Sequence, residues 1–435
     1  MRICILAAGA GGMYCGSCLR DNALAGALIR AGHKVTLIPL FSPLRTDIAN
    51  HTEDGPVFFG GINIYLQHAL RLFRKTPRMF DWLLDRNWLL NAATKHGGST
   101  SPEQLVDLTL DLLQGETGGV AKEARRLMEF LKHDPKPDVV TLPNLMFIGI
   151  AQMLREELKV PVVCELTGED IFLDALGESG SAKVRAAIQS KVGYVNKFVA
   201  TSSHYADRMA EYLGIPRDHI AVVYPGLPQE FLAALPKHIR PQRSQDSPPT
   251  VGYLARICPE KGLGFLVDAM IELQQRSGFE ELYLRVAGYL GKRDEVFFRT
   301  LQEKIDQSPM RGGMTYVGEV NQAGKIALLY SVDVFSVPAI YPEAKGIYLL
   351  EAFATGLAAV QPDRGSFPEL MQKTDGGILT KPGDTAALAD GLADLLQNPQ
   401  RRHVLGQKAR QVVYEEFTDT RMAEQMLAVF QEMRA

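Results

Sequence analysis

The sequence is poor in cysteine, in net charge and in long apolar runs. Five cysteines, an odd number in 435 residues, do not make a disulfide scaffold and read as a chain from a reducing compartment. A formal net charge of −3 gives no electrostatic case for nucleic acid as a partner. No apolar stretch reaches the roughly 20 residues that a bilayer-crossing helix needs. The opening MRICILAAGAGG has one Arg and a short apolar run that breaks into glycines with no cleavage-type region. It reads as a first buried strand rather than a signal peptide. A single Cys-x-x-Cys occurs, and no histidine cluster has ligand spacing, so no metal site is expected. The resulting expectation is a cytoplasmic chain, with peripheral attachment to the inner face of a membrane left open.

What is present is ordinary globular material, 46% hydrophobic and 22% charged, in a chain long enough for two domains. RICILAA reads as a strand, GAGGMYCGS as a loop, CLRDNALAGALIRAG as a helix and HKVTLIPL as the next strand. A strand–helix–strand unit implies a parallel sheet. Residues from 64 to about 131 turn helical and hold both tryptophans. Strand-like runs resume at PDVVTLP, VPVVCEL and KFVATSS. PKHIRPQRSQDSPP, residues 236–249, has no apolar periodicity and reads as a linker. Strand–helix alternation then begins again and runs to an amphipathic helical tail. The expectation is an α/β chain of two doubly wound domains facing a cleft, with ligands at the carboxyl ends of the strands. The first domain spans 1–235 with the helical insertion, and the second spans 250–415. A helix over 416–435 is expected to pack back on the first domain.

Gly9, Gly11 and Gly12 follow the first strand directly. Such a loop lets a ligand approach the backbone, and a helix N-terminus behind it favours anions. The dinucleotide fingerprint G-x-G-x-x-G fails, because its last glycine would fall at Tyr14. A tight turn without a ligand is the plainer alternative. Cys15-Gly-Ser-Cys18 lies in the same loop and fits either a thioredoxin-type dithiol or two small packed residues. Cys4, Cys164 and Cys258 stand in apolar or strand-end contexts.

The most informative stretch is YPEAKGIYLLEAFATG. Ile347, Leu350, Ala354 and Leu357 recur at helical spacing, which buries Glu351 among apolar residues, while Glu343 sits in a Pro- and Gly-punctuated lead-in. A carboxylate so placed is costly unless a donor bonds to it. TVGYLARICPEKG sets Arg256 just after a strand and Lys261 before a helix beginning near Gly262. Two cations at a helix N-terminus suit a diphosphate. Taken singly, each is as well explained as a surface charge.

Together these residues resemble the GT-B retaining glycosyltransferases, specifically glycosyltransferase family 4. Glu343 and Glu351 have the spacing of the family's Glu-x7-Glu motif. Arg256 and Lys261 match its basic strand-to-helix turn, Tyr316-Val317-Gly318 a strand end, and Gly11-Gly12 the loop after the first strand. The resemblance covers nearly the whole chain except the helical insertion. It implies two Rossmann-like domains and transfer of a sugar, with retention, from a UDP-, GDP- or ADP-sugar to a hydroxyl of a carbohydrate or lipid-linked acceptor. No D-x-D triad occurs, in keeping with a metal-independent enzyme that uses no cofactor. By this resemblance Glu351 accepts from the ribose, and Glu343 holds the transferred sugar. The amides of Gly346, Ile347 and Tyr348 face the diphosphate, and Arg256 and Lys261 neutralise it as it leaves. The backbone of Gly318, Glu319 and Val320 takes the base. The departing phosphate takes the acceptor's proton, so no separate base is assigned.

Three positions depart from the family pattern. Thr167-Gly168 stands where His-Gly is usual, Pro225-Gly226 replaces Asn-Gly, and Lys345 replaces an aromatic. Lys345 is expected to add a third cation near the diphosphate. Loss of the histidine keeps two alternatives in view, a catalytically degenerate binding or scaffold protein and a nucleotide-sugar epimerase. Glu169 and Asp170 are candidates on the acceptor side. Residues 69–90 interleave Arg71, Arg74, Lys75 and Arg78 with Phe73, Phe80, Trp82 and Trp88. That pattern fits either a helix on an anionic membrane or a packed helix with a solvated basic edge.

Overall fold

Near-continuous apolar runs such as VVTL, VVCEL and TVGYL are what parallel strands buried on both faces require. The computed structural model describes residues 1–9, 14–52, 57–59, 102–133, 135–237 and 247–433. Gly11, Gly12, the basic-aromatic stretch 69–90 and most of the expected linker lie outside the described residues. The chain divides into two compact units, Met1–Tyr224 with Asp419–Ala435, and Pro225–Thr418.

The first unit holds a six-stranded sheet. Its strands are β1 (Arg2–Ala7), β2 (Lys34–Pro39), β3 (Val139–Leu142), β4 (Val162–Leu166), β5 (Lys197–Ala200) and β6 (Ile220–Val222). Their order is β2-β1-β3-β4-β5-β6, and every pair is parallel. One face is covered by the helices Gly16–Arg30 and Asp419–Glu432. Met422, Met426, Val429 and Phe430 recur at helical spacing and join Leu24 and Leu28 over Ile3, Ile5, Val139, Val163 and Val199. Each large side chain buried there contributes about 1.5–3 kcal/mol. An Arg30–Asp419 ion pair of 2.5 Å ties the two helices at one end.

The second unit repeats the plan with β7 (Thr250–Leu254), β8 (Tyr283–Ala287), β9 (Met314–Tyr316), β10 (Val334–Phe335), β11 (Ala359–Pro362) and β12 (Gly377–Thr380). The order is β12-β11-β10-β7-β8-β9, again all parallel. The strand order reverses between β7 and β10. In a doubly wound sheet the crevice outside the strand ends opens at that reversal. The segment after β7 carries Arg256 and Lys261, and the segment after β10 carries Glu343. Topology therefore makes neighbours of residues 82 positions apart. Among the described residues no helix is long and apolar enough to cross a membrane.

Candidate active site

Lys261 ends a single turn, Pro259–Lys261, that leads through Gly262 into the helix Leu263–Gln274. Gly262 has φ +76°, and a Cβ there would lie 1.9 Å from the Pro338 carbonyl oxygen. Ile340 N–H donates to the Glu260 carbonyl at 3.0 Å. These two contacts seat the segment after β7 against the segment after β10. Ser366 N–H donates to the Glu343 carbonyl at 2.7 Å, and Gly365, with φ +65°, lets that backbone pass where a Cβ would be 2.3 Å from Glu343 N.

The Glu343 carboxylate is thereby fixed at the switch between β7 and β10. It is buried, and Lys261 Nζ approaches its Oε2 at 2.5 Å. Tyr348 and Tyr341 hydroxyls donate to the same oxygen at 2.9 and 3.1 Å. The Lys261 ammonium also stands 5.0 Å from the centre of the Tyr341 ring and 5.1 Å from that of Tyr348. Burial alone would push the Glu343 carboxyl up. The Lys261 charge and its hydrogen bond, the Tyr348 hydroxyl and the Lys345 charge outweigh burial and hold it at about 2. Three donors fall on Oε2, and no described residue bonds Oε1. An ionised carboxylate with one oxygen open is an acceptor for ligand hydroxyls.

Arg256 follows β7, exposed, with its Nε donating to Cys258 Sγ at 3.3 Å. Gly346 takes φ +64° and opens the helix Ile347–Ala354, whose first-turn amides at Ile347 and Tyr348 have no partner within the helix. Glu351 sits further along that helix in a separate buried pair, with Lys325 Nζ 2.5 Å from its Oε1. No described contact links that pair to Glu343. Gly318, φ +81°, accepts from Gly288 N–H at 2.9 Å. Glu319 and Val320 complete the turn beyond β9. That edge strand lies two strands from β7, roughly 10 Å away.

In the first unit, Thr167 and Gly168 follow β4. Glu169 is buried and spans two loops, accepting from Thr167 N–H at 2.7 Å and Leu145 N–H at 3.1 Å. Burial pushes its carboxyl up despite those bonds. Asp170 is also buried and accepts from Tyr205 Oη at 2.8 Å and Arg208 Nε at 2.6 Å. Glu169 thus holds two strand-end loops together, and Asp170 ties its own segment to the helix Ser203–Leu213. Among the described residues no group of three or more His, Cys, Asp or Glu side chains could hold a metal ion.

Several members of these clusters escaped the sequence reading. Tyr341 and the hydroxyl of Tyr348 act on Glu343, and Lys325 acts on Glu351. Gly365 and Gly288 are needed for close backbone passage. Lys325 carried a legible signal. It is a lone cation among Leu328, Leu329 and Ala327 on a short helix, and such a cation demands a buried carboxylate. Arg20, paired with Glu165 beneath the helix Gly16–Arg30, follows the same rule.

Two parallel doubly wound units, with a basic turn and an acidic loop meeting at the topological switch of the second, define a two-domain α/β protein of Rossmann-like plan. Comparison with known proteins narrows that class. Residues 22–226 match the family described as Glycosyl transferase 4-like domain, and residues 236–412 match Glycosyl transferases group 1. A phosphatidyl-myo-inositol mannosyltransferase of Mycobacterium leprae is 34% identical over 154 residues, 34% of this chain and 37% of that protein. The match thus spans little more than a third of that relative. An uncharacterised glycosyltransferase of Methanocaldococcus jannaschii is 25% identical over 318 residues, 72% of this chain and 79% of the relative. The solved sucrose-phosphate synthase of Thermosynechococcus elongatus superposes with a TM-score of 0.70 at 15% identity, over 100% of this chain and 99% of that one. The chain belongs to glycosyltransferase family 4 and has the GT-B fold.

Proposed function

We propose that this protein transfers a hexosyl group, with retention and without a metal, from a nucleotide-diphosphate sugar to a hydroxyl acceptor. The observation that carries the reading is the Lys261–Glu343 pair, flanked by Tyr341 and Tyr348, at the β7/β10 switch. Glu343 Oε1 accepts from hydroxyls of the transferred sugar. Lys261, Arg256 and Lys345 neutralise the diphosphate as negative charge develops on it, which is where an enzyme gains most from fixed charge. The amides of Gly346 to Tyr348 face the same phosphates. Glu351, held by Lys325, accepts from the ribose, and the Gly318–Val320 turn takes the base. The mannosyltransferase relative supports a hexose as the transferred group and a lipid-linked hydroxyl as one candidate acceptor.

The test is a thermal-shift panel of UDP-, GDP- and ADP-sugars, followed by product analysis of the anomeric configuration. One donor is expected to raise the melting temperature, since a ligand at a hundred times its Kd stabilises by about 2.7 kcal/mol. Lys261→Ala is expected to lower turnover by roughly 10² to 10³. No shift, hydrolysis or transfer with any donor sinks the reading. A second reading, donor binding without turnover, is favoured by Thr167 standing where the family has histidine. Binding with no product from any acceptor or from water would select it.

A further inference from the structure

The Cys15–Cys18 motif is not used by the transfer chemistry, yet the structure gives its two sulfurs unequal surroundings. Cys15 immediately precedes the helix Gly16–Arg30 in an extended backbone, φ −119° and ψ 128°, and is partly exposed. Cys18 lies in the first turn and is 1% exposed. That turn is closed by Leu19 N–H donating to the Cys15 carbonyl at 2.9 Å. The two cysteines stand three residues apart across that single turn, a spacing that puts their side chains on one side of the helix. The other cysteines, Cys4, Cys164 and Cys258, are 2%, 0% and 0% exposed. An accessible sulfur at a helix N-terminus, backed by a buried sulfur one turn on, is the geometry of an attacking thiol and its resolving partner.

We propose that Cys15 and Cys18 form a thiol–disulfide exchange site that closes reversibly to an intramolecular disulfide with small-molecule disulfides such as oxidised glutathione. The steps balance. The Cys15 thiolate attacks one glutathione sulfur, and a glutathione thiolate leaves and takes up a proton. The Cys18 sulfur gives up its proton and attacks the Cys15 sulfur of the mixed disulfide, releasing the second glutathione. Two protein thiols lose two electrons and two protons, and one glutathione disulfide becomes two thiols. The Cys18 thiol is held well above the usual thiol range, first by the neighbouring Cys15 sulfur and then by burial. It therefore keeps its proton until Cys15 has reacted, which separates the two roles. The ring would close at the carboxyl end of β1, next to the β1/β3 reversal of the first sheet.

The experiment exposes the full-length reduced chain to oxidised glutathione, quenches with acid, and counts thiols under denaturing conditions. Five thiols should fall by two, to three, with the link mapped to Cys15 and Cys18 and reversed by dithiothreitol. Cys18→Ser should stop at a glutathione adduct on Cys15. Cys15→Ser should slow thiol loss by about ten-fold or more. Both variants are checked for the reduced protein's melting temperature, so that misfolding is not read as lost reactivity. The inference is overturned if the native chain keeps all five thiols, if Cys15 stays as a glutathione adduct with Cys18 present, or if loss occurs at the buried cysteines instead. None of these readouts depends on sugar transfer, so the two proposals stand or fall separately.

Discussion

At the scale of single residues, the Glu343 carboxyl is where charge and burial compete most directly. Its folded value of about 2 lies below its ordinary 4.5, so the ionised form is stabilised by folding. That contribution is present above pH 4.5 and is lost as pH falls toward 2. The difference corresponds to about 3 kcal/mol. Glu343→Gln is therefore expected to be less stable at neutral pH, by about that amount, and to show a flatter loss of stability across the acid window. Urea unfolding of both proteins in steps through that window checks this, and parallel curves would remove Glu343 as the source. Glu343, Arg256 and Lys261 were legible because each is a charge at a strand or helix boundary, and Glu351 because it interrupts the apolar pattern of a helix. Tyr341 was not. An aromatic beside a proline looks the same whether it packs or bonds, and only the fold brings its hydroxyl to the carboxylate.

At the scale of elements, the candidate site depends on loops that pass too close for a side chain. Gly365 and Gly383 both have positive φ, +65° and +72°. A Cβ at Gly365 would collide with the Glu343 backbone, whereas one at Gly383 meets nothing within 4 Å. Gly383→Ala should cost about 1 kcal/mol, from backbone strain alone. Gly365→Ala should cost more and should also weaken nucleotide-sugar binding, because the acidic loop must move. Urea midpoints and donor affinities for the pair separate strain from displacement. Equal effects on binding would mean that the Glu343 loop is not held as described. Strands and helices were well marked in the sequence by apolar runs and by periodicity. The close loop passages were not, since a glycine in a turn carries no mark of what passes beside it.

At the scale of the whole molecule, the repeated α/β plan follows from alternating strand and helix patterns, and the parallel sheets follow from buried runs. Which residues complete which core does not. The helix Asp419–Glu432 is separated from β1 by nearly the full chain, yet Met426 and Phe430 are wholly buried over the first sheet. Amphipathic spacing shows that such a helix has an apolar face but not which sheet that face covers. Phe430→Ala is expected to cost about 3–5 kcal/mol. Hydrogen exchange should show the loss as faster opening of β1 and β3, with β7 and β10 unchanged. Protection lost equally in both units would mean that they unfold as one. The same helix also sets an order of assembly. A ribosome delivers residues 419–432 only after the entire second unit has been made. The first sheet, though synthesised early, must wait with part of one apolar face unsealed beside the helix Gly16–Arg30 until nearly all the polypeptide has emerged, the interval in which chaperones and self-association compete for it.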